Sequence, residues 1–133
     1  MGAYDDLISE VQAGGRLENF ERVDIEIIQK LRAVYPGLPD DYTSFLLEIG
    51  CGEIKKASFI IYNAVVSLDE IYDESTADLI GNTIIFGDDM QGYCSGFDMD
   101  NMWSVVEIDP ADMSSKKTFN TFSSFIRAKV YEV

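Results

Sequence analysis

The chain has 133 residues with 47% apolar content, enough to build one core without disulfide or metal staples. Its net charge of −14 comes without any basic segment, so its field repels nucleic acid and anionic lipid and suits a basic protein partner. It contains no histidine, which excludes Ser-His and Cys-His nucleophile pairs, imidazole acid-base chemistry and most transition-metal sites.

No repeat, low-complexity tract or long linker divides residues 1–133, so one domain is expected. The polar start "MGAYDDLISE" is unlike a secretory signal, Asp6 stands where a myristoylation signal has Ser or Thr, and no apolar run approaches the roughly 18 residues of a membrane span. These features predict a soluble, cytoplasmic protein, in which Cys51 and Cys94 stay reduced and, without histidine, form no common zinc site.

In chain order, Leu7, Ile8 and Val11 recur at helical spacing until Gly14 and Gly15, predicting a short N-terminal helix. A second amphipathic helix is expected from the N-cap Asp24 through Ile27, Ile28, Leu31, Val34 and Tyr35, stopping at Pro36 and Gly37. In "LPDDYTSFLLEIGCG", Pro39 suits a first helical position and Asp40 with Asp41 suit the positive end of the helix dipole. Tyr42, Phe45, Leu46 and Ile49 form the buried stripe of that helix, and Gly50 permits a left-handed end.

After about residue 53 the pattern changes to strands. "ASFIIYNAVV" is rich in β-branched and aromatic residues, and an acidic connection, "SLDEIYDESTADLIGN", follows with room for a helical turn. "TIIFG", "GYCSGFD" and "WSVVEID" are short apolar runs separated by Asp, Gly and Asn, as in an antiparallel meander. In the last, Trp103 and Val105 face one way and Val106 and Ile108 the other, which marks a central strand. A final helix from near Thr121 places Phe122, Phe125, Ile126, Val130 and Val133 on one side. The fold class is therefore α+β: N-terminal helices, a mostly antiparallel sheet and a C-terminal helix.

The run "IIFGDDMQGYCSGFDMD" crowds together aspartates, glycines and a cysteine, yet it fails the tests for chemistry. An EF-hand loop starting at Asp88 has Met90 third and Tyr93 sixth; one starting at Asp98 has Asp100 third but Met102 and Trp103 fifth and sixth. "GYCSG" has the shape of a nucleophile elbow around Cys94, but the base histidine and the strand-turn-helix context are missing, and a small buried strand residue is the simpler account. Asp88 and Asp89, adjacent on a strand end, point apart and make no acid-base pair. Gly87 to Gly92 read as the hairpin turn, with Gly92 supplying positive φ, and Gly96 as a bulge or a close backbone approach. No catalytic, cofactor-binding or metal-ligating set emerges. Asp88, Asp89, Asp98 and Asp100 remain as an acidic rim suited to docking.

Taken together, "LPDDYTSFLLEIGCG", "IIFGDDMQGYCSGFDMD", "WSVVEID" and the closing "TFSSFI" resemble the SUKH superfamily, in the family's order and over about residues 24–128. Many members carry a Glu on the helix before Leu-Pro, where this chain has Lys30 or Leu31. The resemblance implies an α+β domain without enzymatic activity, in bacteria an immunity protein that binds and neutralises a toxin, often a nuclease. Within the matching motifs Leu38, Pro39, Tyr42, Phe45, Leu46, Gly50, Gly87, Gly92, Phe97, Val105, Phe122 and Phe125 are expected to define the fold. Two other functions compete with an inhibitor of a basic toxin: a regulatory scaffold in cell-envelope synthesis or signalling, and an enzyme using carboxylates with a divalent ion.

Overall fold

The strands of the second half assemble into an antiparallel meander in which each strand pairs with its sequence neighbour, the commonest outcome for consecutive strands. The computed structural model describes residues 2–55 and 57–131. Its six-stranded sheet comprises β1 (Gly52–Ile54), β2 (Phe59–Ser67), β3 (Thr83–Asp88), β4 (Cys94–Asp98), β5 (Ser104–Ile108) and β6 (Ser115–Phe119). The helices are α1 (Ile25–Val34), α2 (Asp40–Glu48), α3 (Glu74–Ile80) and α4 (Phe122–Tyr131), with 3-10 turns at Asp5–Val11 and Leu68–Glu70. The chain is thus an α+β domain, with helices at both ends around an antiparallel sheet.

Strand alternation sends side chains to two faces of unequal weight. Ile84 and Phe86 of β3, Phe97 of β4 and Val105 of β5 join the main core with residues of α1, α2 and α4. Ile85, Cys94 and Ile108 face the other way and meet Leu68, covered by half-buried Tyr72, Ala77 and Ile80. Leu38, Tyr42, Phe45, Leu46, Phe97, Val105, Phe122 and Phe125 are all buried, while Pro39 is half-buried. At the centre, the Phe86 ring lies 5.0 Å from Phe97, 5.0 Å from Phe125 and 5.1 Å from Phe122, in tilted and edge-to-face contacts.

Tyr42 belongs to this aromatic group, 5.1 Å from Phe122 and 5.3 Å from Phe97, and its buried hydroxyl has no hydrogen-bond partner. Burial pushes its ionisation far above the usual tyrosine range. Desolvating a hydroxyl without compensation costs about 1–3 kcal/mol, so Tyr42→Phe is expected to leave stability unchanged or raise it by about 1 kcal/mol in urea denaturation. A loss of more than about 1 kcal/mol would show that the hydroxyl is bonded in solution. Tyr4 offers the contrast, because its hydroxyl donates to the Asp41 carbonyl at 2.7 Å.

Several local expectations are corrected. The N-terminal helix is a 3-10 segment, whose period of three residues aligns Tyr4 with Leu7 in the core and leaves Ile8 46% exposed. This segment is anchored at long range: Arg127 of α4 holds both oxygens of Asp6 (3.0 and 2.9 Å) and the Ala3 carbonyl (3.0 Å). The core therefore extends to residues before the stretch that carries the family resemblance. On α1 only Ile28 is fully buried; Val34 is 67% exposed, because α1 touches the core along a narrow stripe. Pro39 sits one place before the first helical residue of α2 rather than on it. The last expected residue of the α4 stripe, Val133, lies outside the described residues.

The sheet also holds strands that the apolar pattern misses. β6, "SKKTF", is polar and exposed, so it shows no alternation, and β1 is very short. β5 is consequently internal but only one strand from the edge, and Trp103 precedes it in a turn at φ +56°. Gly87 is not in the hairpin turn. It lies in β3, paired with Ile61 and Ser95, where a Cβ would meet the Ile60 carbonyl at 2.3 Å. Of the two roles expected for Gly96, the structure shows the close backbone approach, against Ile84, while the bulge falls on the opposite strand at Phe86. The acidic connection holds more helix than one turn, namely Leu68–Glu70 and α3.

Candidate functional site

The four aspartates of the acidic rim sit in two loops, at opposite ends of β4. Asp88 ends β3 and, with Asp89, opens the β3–β4 loop; Asp98 ends β4, and Asp100 lies in the β4–β5 turn. At about 3.4 Å per residue the length of β4 separates the two pairs by about 14 Å. They do not form one patch, and among the described residues no three acidic or cysteine side chains are placed to hold a metal ion.

Each aspartate also has local work. Asp88 Oδ1 accepts from the Met90 amide (2.7 Å), and its other oxygen accepts from the Tyr62 hydroxyl. Asp89 Oδ1 accepts from the amides of Gln91 (2.8 Å) and Tyr93 (3.0 Å), closing the loop in which Gly92 adopts φ +106°. Asp98 Oδ1 accepts from the Asp100 amide (3.0 Å), and Asp100 Oδ1 from the Asn82 side-chain amide (3.1 Å). The four bonds from backbone amides are turn-closing bonds of the kind that favour Asp in such loops. Asp88, Asp89 and Asp98 are half-buried; only Asp100 is exposed. The rim is acidic, but much of its hydrogen-bonding capacity is spent on the backbone.

Behind Asp88 lies a polar group on the smaller face of the sheet. Burial and then the hydrogen bond to Asp88 raise the ionisation of Tyr62 well above its usual range. The Tyr72 hydroxyl finds no nitrogen or oxygen partner and rests against the Cys94 thiol, a weak hydrogen-bonding group. Burial raises the Cys94 thiol, with Asp88 and Asp89 adding to the effect, and burial followed by the charge of Glu21 raises Cys51. Both thiols thus lie in surroundings opposite to the electropositive ones that generate a nucleophilic thiolate.

A second acidic segment is the connection between β2 and β3. Residues 68–80 carry Asp69, Glu70, Asp73, Glu74 and Asp78 and no basic residue. Its local structure is capped by those acids: Glu70 accepts from the Ser67 amide (3.1 Å), and Asp73 from the Thr76 amide (2.8 Å). Hydrogen bonds from the Thr76 side chain and backbone hold the Asp73 carboxyl below the usual range. No residue of α3 is fully buried, and Leu79 is 72% exposed. A shallow cleft of about 290 Å³ runs along this segment on the side of Asp69, Asp78, Asn82 and Met99. The signal was present in the sequence as a density of carboxylates beside lone apolar residues. It was masked because acids in a connection read equally well as solvated loop.

No family model matches the sequence, and no curated protein and no solved structure matches the chain. Among the described residues no helix is long and apolar enough to cross a membrane.

Proposed function

We propose that this protein is a non-enzymatic docking module of the SUKH kind, an immunity-type inhibitor that binds and neutralises a basic toxin domain, a nuclease being the partner class that the charge fits best. The observation that carries this reading is the net charge of −14 together with its display: carboxylates line the loops at both ends of β4 and the connection before α3. A surface of that sign steers a cationic partner and competes for the site where a nuclease would hold phosphates. The motif order "LPDDYTSFLLEIGCG" to "TFSSFI" supports the same conclusion by resemblance.

The test is direct. Mixed with the toxin domain encoded beside it, the protein is expected to form a one-to-one complex. Raising salt from about 0.05 to about 0.5 M should weaken that complex by at least about tenfold, because exposed charges are screened within a few ångströms at the higher value. Calorimetry at low salt that detects no complex removes the proposal. Several weak partners in place of one tight one would favour a regulatory scaffold.

A further inference from the structure

On the smaller face of the sheet, β2 bends out of register with β3: the stretch from Ile61 to Val66 lies opposite only Gly87 to Ile85. The surplus residues leave an open groove of about 440 Å³ between β2 and the end of the Leu68–Glu70 turn, lined by Tyr62, Asn63, Val66, Glu70 and Ile71. Its wall is more apolar than polar, and Ile71 is 38% exposed and belongs to neither core cluster. One acid, Glu70, lines the groove, and Asp88 meets the hydroxyl of Tyr62 on its wall; an exposed apolar residue with carboxylates beside it is the arrangement of a docking site with an anchor and a polar rim.

We propose that this groove seats an apolar side chain from a basic segment of the partner, with flanking Lys or Arg residues meeting Glu70 and its acidic neighbours. Charge complementarity selects that occupant. Five acids and no base lie in residues 68–80, so an acidic peptide, a nucleic acid or an anionic lipid is repelled there. A second copy of this chain would bring a charge of −14 against the same border. The groove also has room for one or two large side chains, whereas the four aspartates of the β4 loops are spread over two ends of the sheet, each pair beside a single exposed methionine, Met90 or Met102. This inference rests on the reading of the protein as a module for a basic partner and names the surface that meets it.

The experiment is an amide-resolved NMR titration of the full chain with a short amphipathic peptide of leucine and lysine, beside a control peptide with glutamine in place of each lysine. Shifts are expected at Tyr62, Asn63, Val66, Glu70 and Ile71 with the lysine peptide and not with the control. Ile71→Ala should weaken binding by about tenfold, a typical anchor effect, while Leu79→Ala should leave it unchanged. Shifts centred on Asp98 and Asp100, or on Asp88 and Asp89, would overturn the groove yet leave the basic-partner reading standing. No binding of the lysine peptide would overturn the groove, with the toxin complex then deciding the wider reading separately. Peptide-free association in sedimentation that Ile71→Ala abolishes would assign the groove to a second copy and overturn the proposal.

Discussion

Phe86→Ala is expected to cost about 3–5 kcal/mol, a large part of the roughly 5–15 kcal/mol that holds a domain of this size together. The ring is fully buried and touches Phe97, Phe122 and Phe125 at centroid distances near 5 Å, so its removal loses contacts from α4 and from the neighbouring strand at once. The cavity cannot close by moving one side chain, because Phe86 is also the extra residue at which β3 slips register against β4. Urea denaturation should show a marked fall in midpoint with little change in slope. Phe86→Leu should lose much less, since it keeps most of the volume. A cost below about 1 kcal/mol for the alanine variant would mean that the aromatic cluster is not the centre of the core.

Gly50→Ala carries the second large effect, expected at about 3 kcal/mol or more. Two independent demands meet at this residue. Its φ of +112° is a conformation that residues with a Cβ rarely adopt, and the added Cβ would lie 1.9 Å from the Glu21 carbonyl oxygen. That oxygen is in use, since Glu21 and Cys51 exchange backbone hydrogen bonds of 3.0 and 2.9 Å that tie the N-terminal segment to the end of α2. Gly14 provides the control: its φ is +85° but a Cβ there would meet nothing within 4 Å. Gly14→Ala should therefore cost only the conformational share, about 1–2 kcal/mol. If the two variants were equally stable, the close approach at Gly50 would be refuted; hydrogen exchange at the Cys51 amide, faster in the Gly50 variant alone, reads the same contact locally.

Much of the fold is legible before any coordinates, and the exceptions share a cause. α2 is complete in "LPDDYTSFLLEIG" because Asp at its start, a stripe at helical spacing and Gly at its end all agree, and agreement across signals specifies an element strongly. β6 is invisible because "SKKTF" is a sheet edge, where pairing to β5 supplies the hydrogen bonds and no side-chain pattern is needed. Phe86 passes unnoticed for the opposite reason. In "TIIFG" the apolar residues Ile84, Ile85 and Phe86 follow one another without a break, so periodicity does not tell which residue faces the larger core, and the burial of the strand on both faces removes the alternation.

For the candidate site the sequence pointed to carboxylates and found them, but composition does not say which carboxylates are free. Asp88, Asp89 and Asp98 look in sequence like a charged rim; folded, they close their own turns. The connection of residues 68–80 looks like an ordinary polar loop, and Glu70 and Asp73 likewise cap its own turns, yet its exposed Ile71 stands beside a groove at the register slip in β2, which no local pattern announces.

The sequence by itself thus determined the class of the molecule: an acidic α+β domain, without histidine for catalysis, whose helices and central strands follow from periodicity, caps and turn residues. Those are properties of neighbours along the chain, and they survive translation into any compact fold. Tertiary structure alone decided that residues before the resembling stretch belong to the core, that Phe86 is buried among Phe97, Phe122 and Phe125, that Gly87 packs against a strand rather than turning a hairpin, and that an apolar groove opens beside Glu70. Each of these depends on contacts between residues far apart in sequence, and such contacts are set by how whole elements pack.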